Sequence, residues 1–222
     1  MSKPFSWSFS RLKNYEECPL RYQQVDLLKN FQESTAQLAW GNEVHDRLAK
    51  ALKGTEPLPD TMKTYLSRVA SIRKWPGELM VEQKYALTKD LQPSEYFGPH
   101  AWYRGIGDVV GLITPTKGIV LDWKTGKVTP NSVQLMLMAQ CVMSFHPDLH
   151  SVDSAFIWLQ HDTMTKESYH RDAMAKHWVP LLPRIQALEQ ATATDNFPPK
   201  PGRLCARYCP VTSCVHNGRY KR

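Results

Sequence analysis

Long apolar runs, internal repeats and low-complexity tracts are absent from this sequence of 222 residues. No hydrophobic stretch approaches the roughly 20 residues that a membrane-spanning helix needs. The first residues, 1–7, lack the apolar core of a secretory signal. These absences argue against a helical membrane span and against a repeat architecture. We therefore expect a cytoplasmic chain with no membrane partner.

Cysteine is scarce, with five residues in the whole chain. Thiols in the cytoplasm rarely form disulfides, so free thiols or metal ligands are favoured over a disulfide framework. Three of the five lie close together near the C-terminus, at Cys205, Cys209 and Cys214. This spacing indicates a metal or iron–sulfur site whose fourth ligand is either Cys18 or His216. The remaining Cys141 is expected to pack in the core.

A phosphate-binding loop of the nucleoside-triphosphate enzymes is also missing. Gly126-Lys127 is the only part of that loop present in the sequence. Leu121 stands where the loop needs its first glycine, and Val128 stands where it needs serine or threonine. This class of enzyme is therefore excluded.

Acidic residues are fewer than basic ones, with 21 Asp and Glu against 28 Lys and Arg and a formal net charge of +7. The isoelectric point is near 9.1. The rest of the composition is that of an ordinary globule, with 42% hydrophobic residues. Because Lys and Arg displace condensed counterions from phosphate backbones, this charge favours a polyanionic partner.

Two neighbouring apolar runs each carry one acidic residue. The run 119–121 predicts a buried strand that ends on Asp122, and Asp108 interrupts a second apolar run over 105–113. The connection 111–118 is typical of a hairpin, which would set the two strands side by side. The sequence therefore predicts that the two carboxylates converge.

A lysine follows the second acid at a spacing of two. Because side chains alternate along a strand, Asp122 and Lys124 are expected to share one face. An ordinary ion pair at a strand end is one interpretation of this pair. With Asp108 close by, the alternative is a hard-cation site suited to Mg²⁺ or Mn²⁺.

The two motifs Gly105-Ile106-Gly107-Asp108 and Asp122-Trp123-Lys124-Thr125-Gly126 together resemble the core of the PD-(D/E)XK nuclease superfamily, in particular its RecB-like branch. The Asp-aromatic-Lys-Thr-Gly form is far more specific than a bare Asp-x-Lys. The resemblance implies an α/β fold with a central mixed β-sheet flanked by helices, as in restriction endonucleases.

The resemblance also implies a set of metal ligands. Asp108 and Asp122 would hold Mg²⁺ or Mn²⁺, with the backbone carbonyl of Trp123 as a further ligand. His45 lies on a predicted helix, and Glu82 on a predicted strand, at positions that would complete the shell. From spacing alone, His45 is also compatible with a core histidine and Glu82 with an exposed edge-strand residue.

Two further positions follow from the same resemblance. Lys124 would be the catalytic lysine, and Gln134 would lie beside it on the next helix. Met138 stands where the family usually has tyrosine, which puts one substrate contact in doubt. The methionines of this helix are interpreted as core packing.

The chain ends resemble the cysteine-bearing elements of AddB-type nucleases. In that pattern Cys18 and the three C-terminal cysteines would hold a [4Fe–4S] cluster. The spacing here is Cys-x3-Cys-x4-Cys, whereas the family usually has Cys-x2-Cys-x5-Cys, so zinc or no metal stays open. Arg207 and Tyr208, beside the cysteines, are candidate DNA contacts.

Apolar periodicity predicts the remaining elements. Helices are expected over 35–52, over 62–72, over 130–143 with Asn131 or Ser132 as cap, and over 168–194 with kinks at Pro180 and Pro183, while strands are expected over 80–87 and 155–159, the last completing the sheet. The chain is expected to be one nuclease domain, 1–222, with a core of about 35–165 and appendages 1–34 and 166–222.

The resemblance implies a stand-alone, metal-dependent DNA exonuclease that acts at linear ends in recombination or repair, of the kind found in phages, mobile elements and bacteria. A single-strand annealing or recombination protein is its expected partner. Two alternatives stay open: a non-catalytic nucleic-acid binder with a zinc or iron–sulfur tail, and a trimming nuclease of CRISPR adaptation. Polarity, strand preference and ring formation are left undetermined by the sequence.

Overall fold

A computed structural model describes residues 4–32, 35–129 and 132–220 of the chain. The chain divides into two compact units, one formed by Ala36–His177 and the other by Met1–Thr35 with Trp178–Arg222. Among the described residues, no helix combines the length and the hydropathy of a membrane span.

The described elements begin with helices, continue with a series of strands and end with a mixture of both. The α-helices are α1 (Phe9–Glu17), α2 (Pro19–Tyr22), α3 (Ala36–Lys53), α4 (Leu66–Ile72), α5 (Val133–Phe145), α6 (Met174–Trp178) and α7 (Leu182–Thr194). The strands are β1 (Glu78–Leu87), β2 (Pro93–Ser94), β3 (Tyr103–Thr114), β4 (Lys117–Lys124), β5 (Ser151–Trp158) and β6 (Thr163–His170). Two 3₁₀ turns, Asp60–Tyr65 and Arg171–Ala173, and a π-helical turn, Gln23–Leu27, complete the described elements.

The strands form one mixed sheet in the order β2-β1-β3-β4-β5-β6. Only β4 and β5 run parallel among the strand pairs of the described residues. Parallel neighbours need a crossover of about a dozen residues or more, and the 13-residue helix α5 supplies it here. The predicted α/β architecture with a central mixed sheet is confirmed.

One face of the sheet packs against α3 and α4. Val44 and Leu48, one turn apart on α3, are fully buried in a cluster with Val109, Leu121 and Trp123 of the central strands. Burying such a side chain contributes roughly 1.5–3 kcal/mol. This apolar stripe fixes α3 on the sheet and therefore fixes the directions in which the other side chains of the helix point.

Helix α5 packs on the opposite face, where it contacts β1, β3, β4 and β5. Close approach is possible because β3 presents glycine there. A Cβ at Gly105 would lie 3.0 Å from the Met138 sulfur, and one at Gly107 would lie 3.3 Å from its methyl carbon. Met138 is 2% exposed, so this methionine packs in the core, as predicted.

Several predicted elements are confirmed. The hairpin between the two acid-bearing strands is present, with Thr114 paired to Lys117 across its turn. The helix expected over 35–52 is α3, and the strand expected over 80–87 is β1. Ser132 lies at the N-terminus of α5 without a side-chain cap hydrogen bond, and Asn131 lies outside the described residues.

The long helix predicted over 168–194 is wrong. Residues Thr163–His170 form β6, which pairs antiparallel with β5, so the strand at 155–159 does not complete the sheet. The helical segments α6 and α7 follow only after it. Pro180 lies in the break between them and Pro183 in the first turn of α7, where a missing N–H is tolerated.

The smaller unit joins the two chain ends around α1, α2 and α7. Arg184 of α7 donates two hydrogen bonds to the Glu16 carboxylate, at 2.6 and 2.8 Å. Phe197 packs against the rings of Tyr15 and Tyr22. Ser8 caps α1, with its hydroxyl accepting from the Arg11 backbone N–H.

Candidate active site and cysteine cluster

His45 reaches the end of the sheet from α3. Gly41, one turn earlier, lets the helix approach the turn after β4: a Cβ at Gly41 would lie 3.2 Å from Thr125 Oγ1. The Nδ1 atom of His45 lies 3.2 Å from Asp108 Oδ2. Burial alone would lower the His45 pKa, but the hydrogen bond to Asp108 and the nearby carboxylate charges raise it.

Glu82 is the second contributor, and its backbone is strained. It lies on β1 between the pairs Val81↔Val109 and Gln83↔Gly107, which sets it opposite Asp108. Its φ of 57° is in the left-handed region, which a non-glycine residue adopts at a price of about 1–3 kcal/mol. Burial and the neighbouring Asp108 carboxylate raise the Glu82 pKa.

Together, His45, Glu82 and Asp108 bring one nitrogen and two carboxylate oxygens within 4.8 Å of one another. His45 and Glu82 line a cavity of about 750 Å³, with Lys53 and Lys124 also on its wall. This donor set is suited to a divalent cation.

Asp122 lies beside this group and is almost completely buried, at 4% exposure. Its Oδ1 accepts a hydrogen bond of 2.6 Å from Gln134 Nε2. Lys124 Nζ lies 2.5 Å from its Oδ2, yet that oxygen accepts no well-aligned hydrogen bond from any described residue. Burial and the charge of Asp108 raise the Asp122 pKa to about 6, in spite of Lys124. The Lys124 ammonium therefore does not fully offset the burial of this carboxylate, and a divalent cation would add positive charge here.

Gln134 connects the acid to the lysine. Its Oε1 accepts a hydrogen bond of 2.9 Å from Lys124 Nζ while its amide donates to Asp122. Lys124 Nζ also lies 4.7 Å from the centroid of the Phe156 ring. The lysine head is thus held from three sides, although 26% of its side chain is exposed.

Asp108 is fixed by an interaction that the sequence did not suggest. The backbone N–H of Trp123 donates to Asp108 Oδ2 at 2.8 Å. The paired register of β3 and β4 ends at Val109↔Leu121. The bond from the Trp123 N–H to Asp108 therefore connects the two strands just beyond their last backbone pair. The Trp123 side chain is buried in the core, and ligation by its backbone carbonyl stays a prediction.

The cavity wall contains residues that sequence reasoning had not singled out. Lys53 follows His45 and Ala49 at intervals of four along α3, and all three line the cavity. This spacing of four could have indicated that Lys53 lies on the same side of α3 as His45. Lysine on an amphipathic helix is, however, ordinarily a solvated surface residue.

The four candidate ligand cysteines line one small cavity in the smaller unit: Cys18, Cys205, Cys209 and Cys214. Two of their sulfurs accept backbone hydrogen bonds of 3.4 Å, Cys18 from Lys200 and Cys205 from Gly202. Burial raises the pKa of Cys209, and a backbone hydrogen bond at Val211 opposes that rise. Backbone donors aimed at sulfur are the environment of metal-bound thiolates.

The cysteine sulfurs are spread more widely than a single ion requires. In the described part of the chain, no three of them lie within 4.8 Å of one another. Thiolates around one zinc ion, at about 2.3 Å each, would lie about 3.8 Å apart. Cys141 is fully buried in α5, as predicted.

Arg207 and Tyr208 are both on the surface of the turn between Cys205 and Cys209. Tyr208 is 68% exposed. Their contact with DNA stays a prediction.

Comparison with known proteins shows the family of the chain. Residues 6–214 match the model of the PD-(D/E)XK nuclease superfamily. A crystal structure of a protein from Eubacterium rectale, provisionally described as an exonuclease, is similar to this chain, with a TM-score of 0.54 and 13% identity. The similarity covers 90% of this chain and 85% of that one. The crystal structure of SSO0001 has a TM-score of 0.43 and 11% identity and covers 100% of this chain and 90% of that one. No curated protein matches the chain in sequence. Since the family match spans most of its residues, the chain belongs to the PD-(D/E)XK nuclease superfamily.

Proposed function

We propose that the chain is a Mg²⁺- or Mn²⁺-dependent deoxyribonuclease that hydrolyses phosphodiester bonds at DNA ends. The observation that carries this proposal is the convergence of His45, Glu82 and Asp108 beside the hydrogen-bonded chain of Asp122, Gln134 and Lys124.

The side chains fit a hard divalent ion. Asp108, Glu82 and His45 would hold it, and Asp122 would add a carboxylate whose Oδ2 lies next to the Lys124 ammonium. The raised pKa values of Glu82 and Asp122 both reflect burial of carboxylates close to Asp108. When bound, such an ion neutralises charge on the attacked phosphate and acidifies water.

We assign to Lys124 the role of stabilising the negative charge that develops on the attacked phosphate. Its ammonium is oriented by Gln134 and Asp122 and lines the cavity. A donor held in place before reaction stabilises charge on the phosphate without reorganisation. Gln134 acts through this lysine and is a positioning residue.

The cavity can also attract the substrate. Lys53 and Lys124 on its wall supply positive charge near the carboxylates. Their charges complement the phosphodiester backbone, as does the formal net charge of +7.

Action at ends is the finer part of the proposal. It rests on the Asp122–Gly126 motif, whose form resembles the RecB-like branch. An activity of this kind suits recombination or repair, with a strand-annealing or recombination protein as partner.

We also propose that Cys18, Cys205, Cys209 and Cys214 hold a [4Fe–4S] cluster. The wide spacing of the sulfurs disfavours a single zinc ion, and a cluster places a larger body between its thiolates. The backbone donors at Cys18 and Cys205 stabilise thiolate charge. The cluster would tie α1 and α2 to the C-terminal tail within the smaller unit.

Digestion of end-labelled linear DNA and covalently closed circular DNA, with and without Mg²⁺ or Mn²⁺, tests this function. We expect metal-dependent release of label from linear DNA and an intact circle. Asp122→Asn and Lys124→Ala should abolish release, whereas Asp60→Asn, which changes an exposed acid, should not. Circles cut as fast as linear DNA would refute end specificity. Bound but uncut DNA would instead make the chain a non-catalytic binder.

A further inference from the structure

An aromatic pair, half-buried Tyr96 and exposed Phe97, lies between β2 and β3 along the chain. Phe97 is 80% exposed, the largest value among the exposed large apolar side chains that the structure describes. Its ring centroid lies 5.0 Å from that of Tyr96, with the two planes at 90°. A phenylalanine this exposed contributes little to the core, and its free ring face can stack against a ligand with an apolar face.

Two cations flank these rings. Lys84 Nζ lies 5.6 Å from the Tyr96 centroid and 5.7 Å from the Phe97 centroid. Arg104 Cζ lies 6.0 and 5.9 Å from the same centroids. The buried Nε of Arg104 has no hydrogen-bond partner among the described residues. The cluster therefore combines π faces with positive charge.

The cluster lies on the same side of the sheet as Asp108. In the register of β1 and β3, Lys84 pairs with Ile106, and side chains at 104, 106 and 108 share a face by strand alternation. Arg104 and Asp108 are four residues apart, which is about 13 Å along the strand. Ile106 between them is 38% exposed, so the surface from the rings to the carboxylates is open.

We propose that Lys84, Tyr96, Phe97 and Arg104 form a stacking platform for the bases of single-stranded DNA that leads into the metal centre. This inference rests on the proposed nuclease function and names its substrate as a single strand. Bases in a duplex are stacked on each other and cannot use the rings, whereas unpaired bases can stack on them while the cations meet the phosphates. The span of about 13 Å corresponds to about four steps at the 3.4 Å rise of a duplex strand, and to fewer steps of a stretched strand.

Fluorescence anisotropy with a labelled 20-nucleotide oligothymidylate and a labelled 20-base-pair duplex, without divalent metal, tests the platform apart from cleavage. We expect Phe97→Ala to weaken single-strand binding roughly tenfold and to leave duplex binding unchanged, with Phe97→Trp close to wild type. The matched control is Met164→Ala, which truncates another exposed apolar residue, 55% exposed on β6. Because both residues are exposed, thermal melting should be the same for the two variants.

The position of the contact is tested with 2-aminopurine placed at successive steps from the end of the oligonucleotide. Quenching should be greatest within about four nucleotides of the end and should disappear in Phe97→Ala. Equal single-strand affinities for Phe97→Ala and Met164→Ala, or an equal loss for single strand and duplex in Phe97→Ala, would overturn the platform. If wild-type protein binds single strands through Phe97 yet cuts no DNA in Mg²⁺ or Mn²⁺, the nuclease proposal fails and the platform stands. If it cuts DNA and Phe97→Ala binds single strands normally, the platform fails and the nuclease stands.

Discussion

Gln134 and Asp122 are joined by a hydrogen bond of 2.6 Å, from the Gln134 amide to the Asp122 Oδ1 atom. The same glutamine accepts from Lys124 Nζ at 2.9 Å. One amide therefore orients both the acid and the amine that we place at the proposed metal centre.

Replacing Gln134 tests this orienting role. We expect Gln134→Ala to lower kcat on linear DNA roughly 10–100-fold. Removing a residue that hydrogen-bonds to a metal-site side chain typically lowers activity by this factor. KM should change less, since the glutamine acts through Lys124. Steady-state kinetics measures both values. The control is Gln140→Ala on the same helix, whose side chain bonds to Ser144 instead, and a similar loss there would point to a general disturbance of α5.

His45 is expected to tune the metal requirement. Its imidazole is the nitrogen donor of the group with Glu82 and Asp108. We expect His45→Asn to raise the Mn²⁺ concentration for half-maximal activity by roughly 10–100-fold. A metal titration of activity measures this, with His161→Asn, an exposed histidine, as control. An unchanged titration curve for His45→Asn would remove the histidine from the site.

The hairpin that carries the acids could be predicted because its information is local. Asp108 and Asp122 interrupt or end apolar runs that a short turn joins, so strand, turn and pairing all follow from neighbouring residues. The strained backbone of Glu82 and the bond from the Trp123 N–H to Asp108 could not be predicted in this way. Both arise from tertiary geometry and leave no trace in residue type.

Strand β6 was missed for a different physical reason. It is an edge strand in which Tyr169 is the one buried residue, so the apolar alternation that reports a strand is absent. Its polar side chains are used instead in bonds to β5, such as that from Ser168 to Asp153. The aromatic pair at Tyr96 and Phe97 was likewise hidden, because its cations come from two different strands.

Those edge-strand bonds predict a pH-dependent stability. Asp153 on β5 accepts from Ser168 at 2.6 Å and lies 3.1 Å from both Lys117 and Lys166. Burial alone would raise its pKa, but these three partners lower it from 3.8 to about 2. The stabilisation is therefore complete above the unfolded pKa of 3.8 and is lost as the pH falls through about 2.

Asp153→Asn should accordingly lower the free energy of unfolding by about 1–2 kcal/mol at pH 7. This value is smaller than the full pKa shift implies, because solvent screens the charges of the half-exposed lysines. Urea denaturation of both proteins between pH 7 and pH 3 measures the difference, which should shrink toward the acid end. A difference that stays constant over this range would contradict the proposed ionic origin.

The close approach of α5 to β3 predicts a steric effect. A Cβ at Gly107 would lie 2.8 Å from Val110 Cγ2 and 3.3 Å from the Met138 methyl carbon. We expect Gly107→Ala to destabilise the fold by about 1–3 kcal/mol, because overpacking a filled core forces side chains to shift. Gly126→Ala is the control, since a Cβ there meets nothing within 4 Å. Equal urea midpoints for the two variants would show that the core has room to relax.

The cysteine cluster has a spectroscopic test. Anaerobically purified protein should absorb in the visible range and contain iron and sulfide, and Cys209→Ser should lose both. Cys141→Ser should keep them, because that thiol is buried in α5 of the other unit. Zinc in place of iron in the wild-type protein would rule out the cluster.

The most direct test of the whole account is pulsed electron paramagnetic resonance of Mn²⁺ added to the protein. The account predicts one bound Mn²⁺ whose spectrum shows coupling to a nitrogen of His45. His45→Asn should lose this nitrogen coupling, and Asp108→Asn should lose the binding of Mn²⁺ itself. Binding of Mn²⁺ to Asp108→Asn as tightly as to the wild type would contradict it.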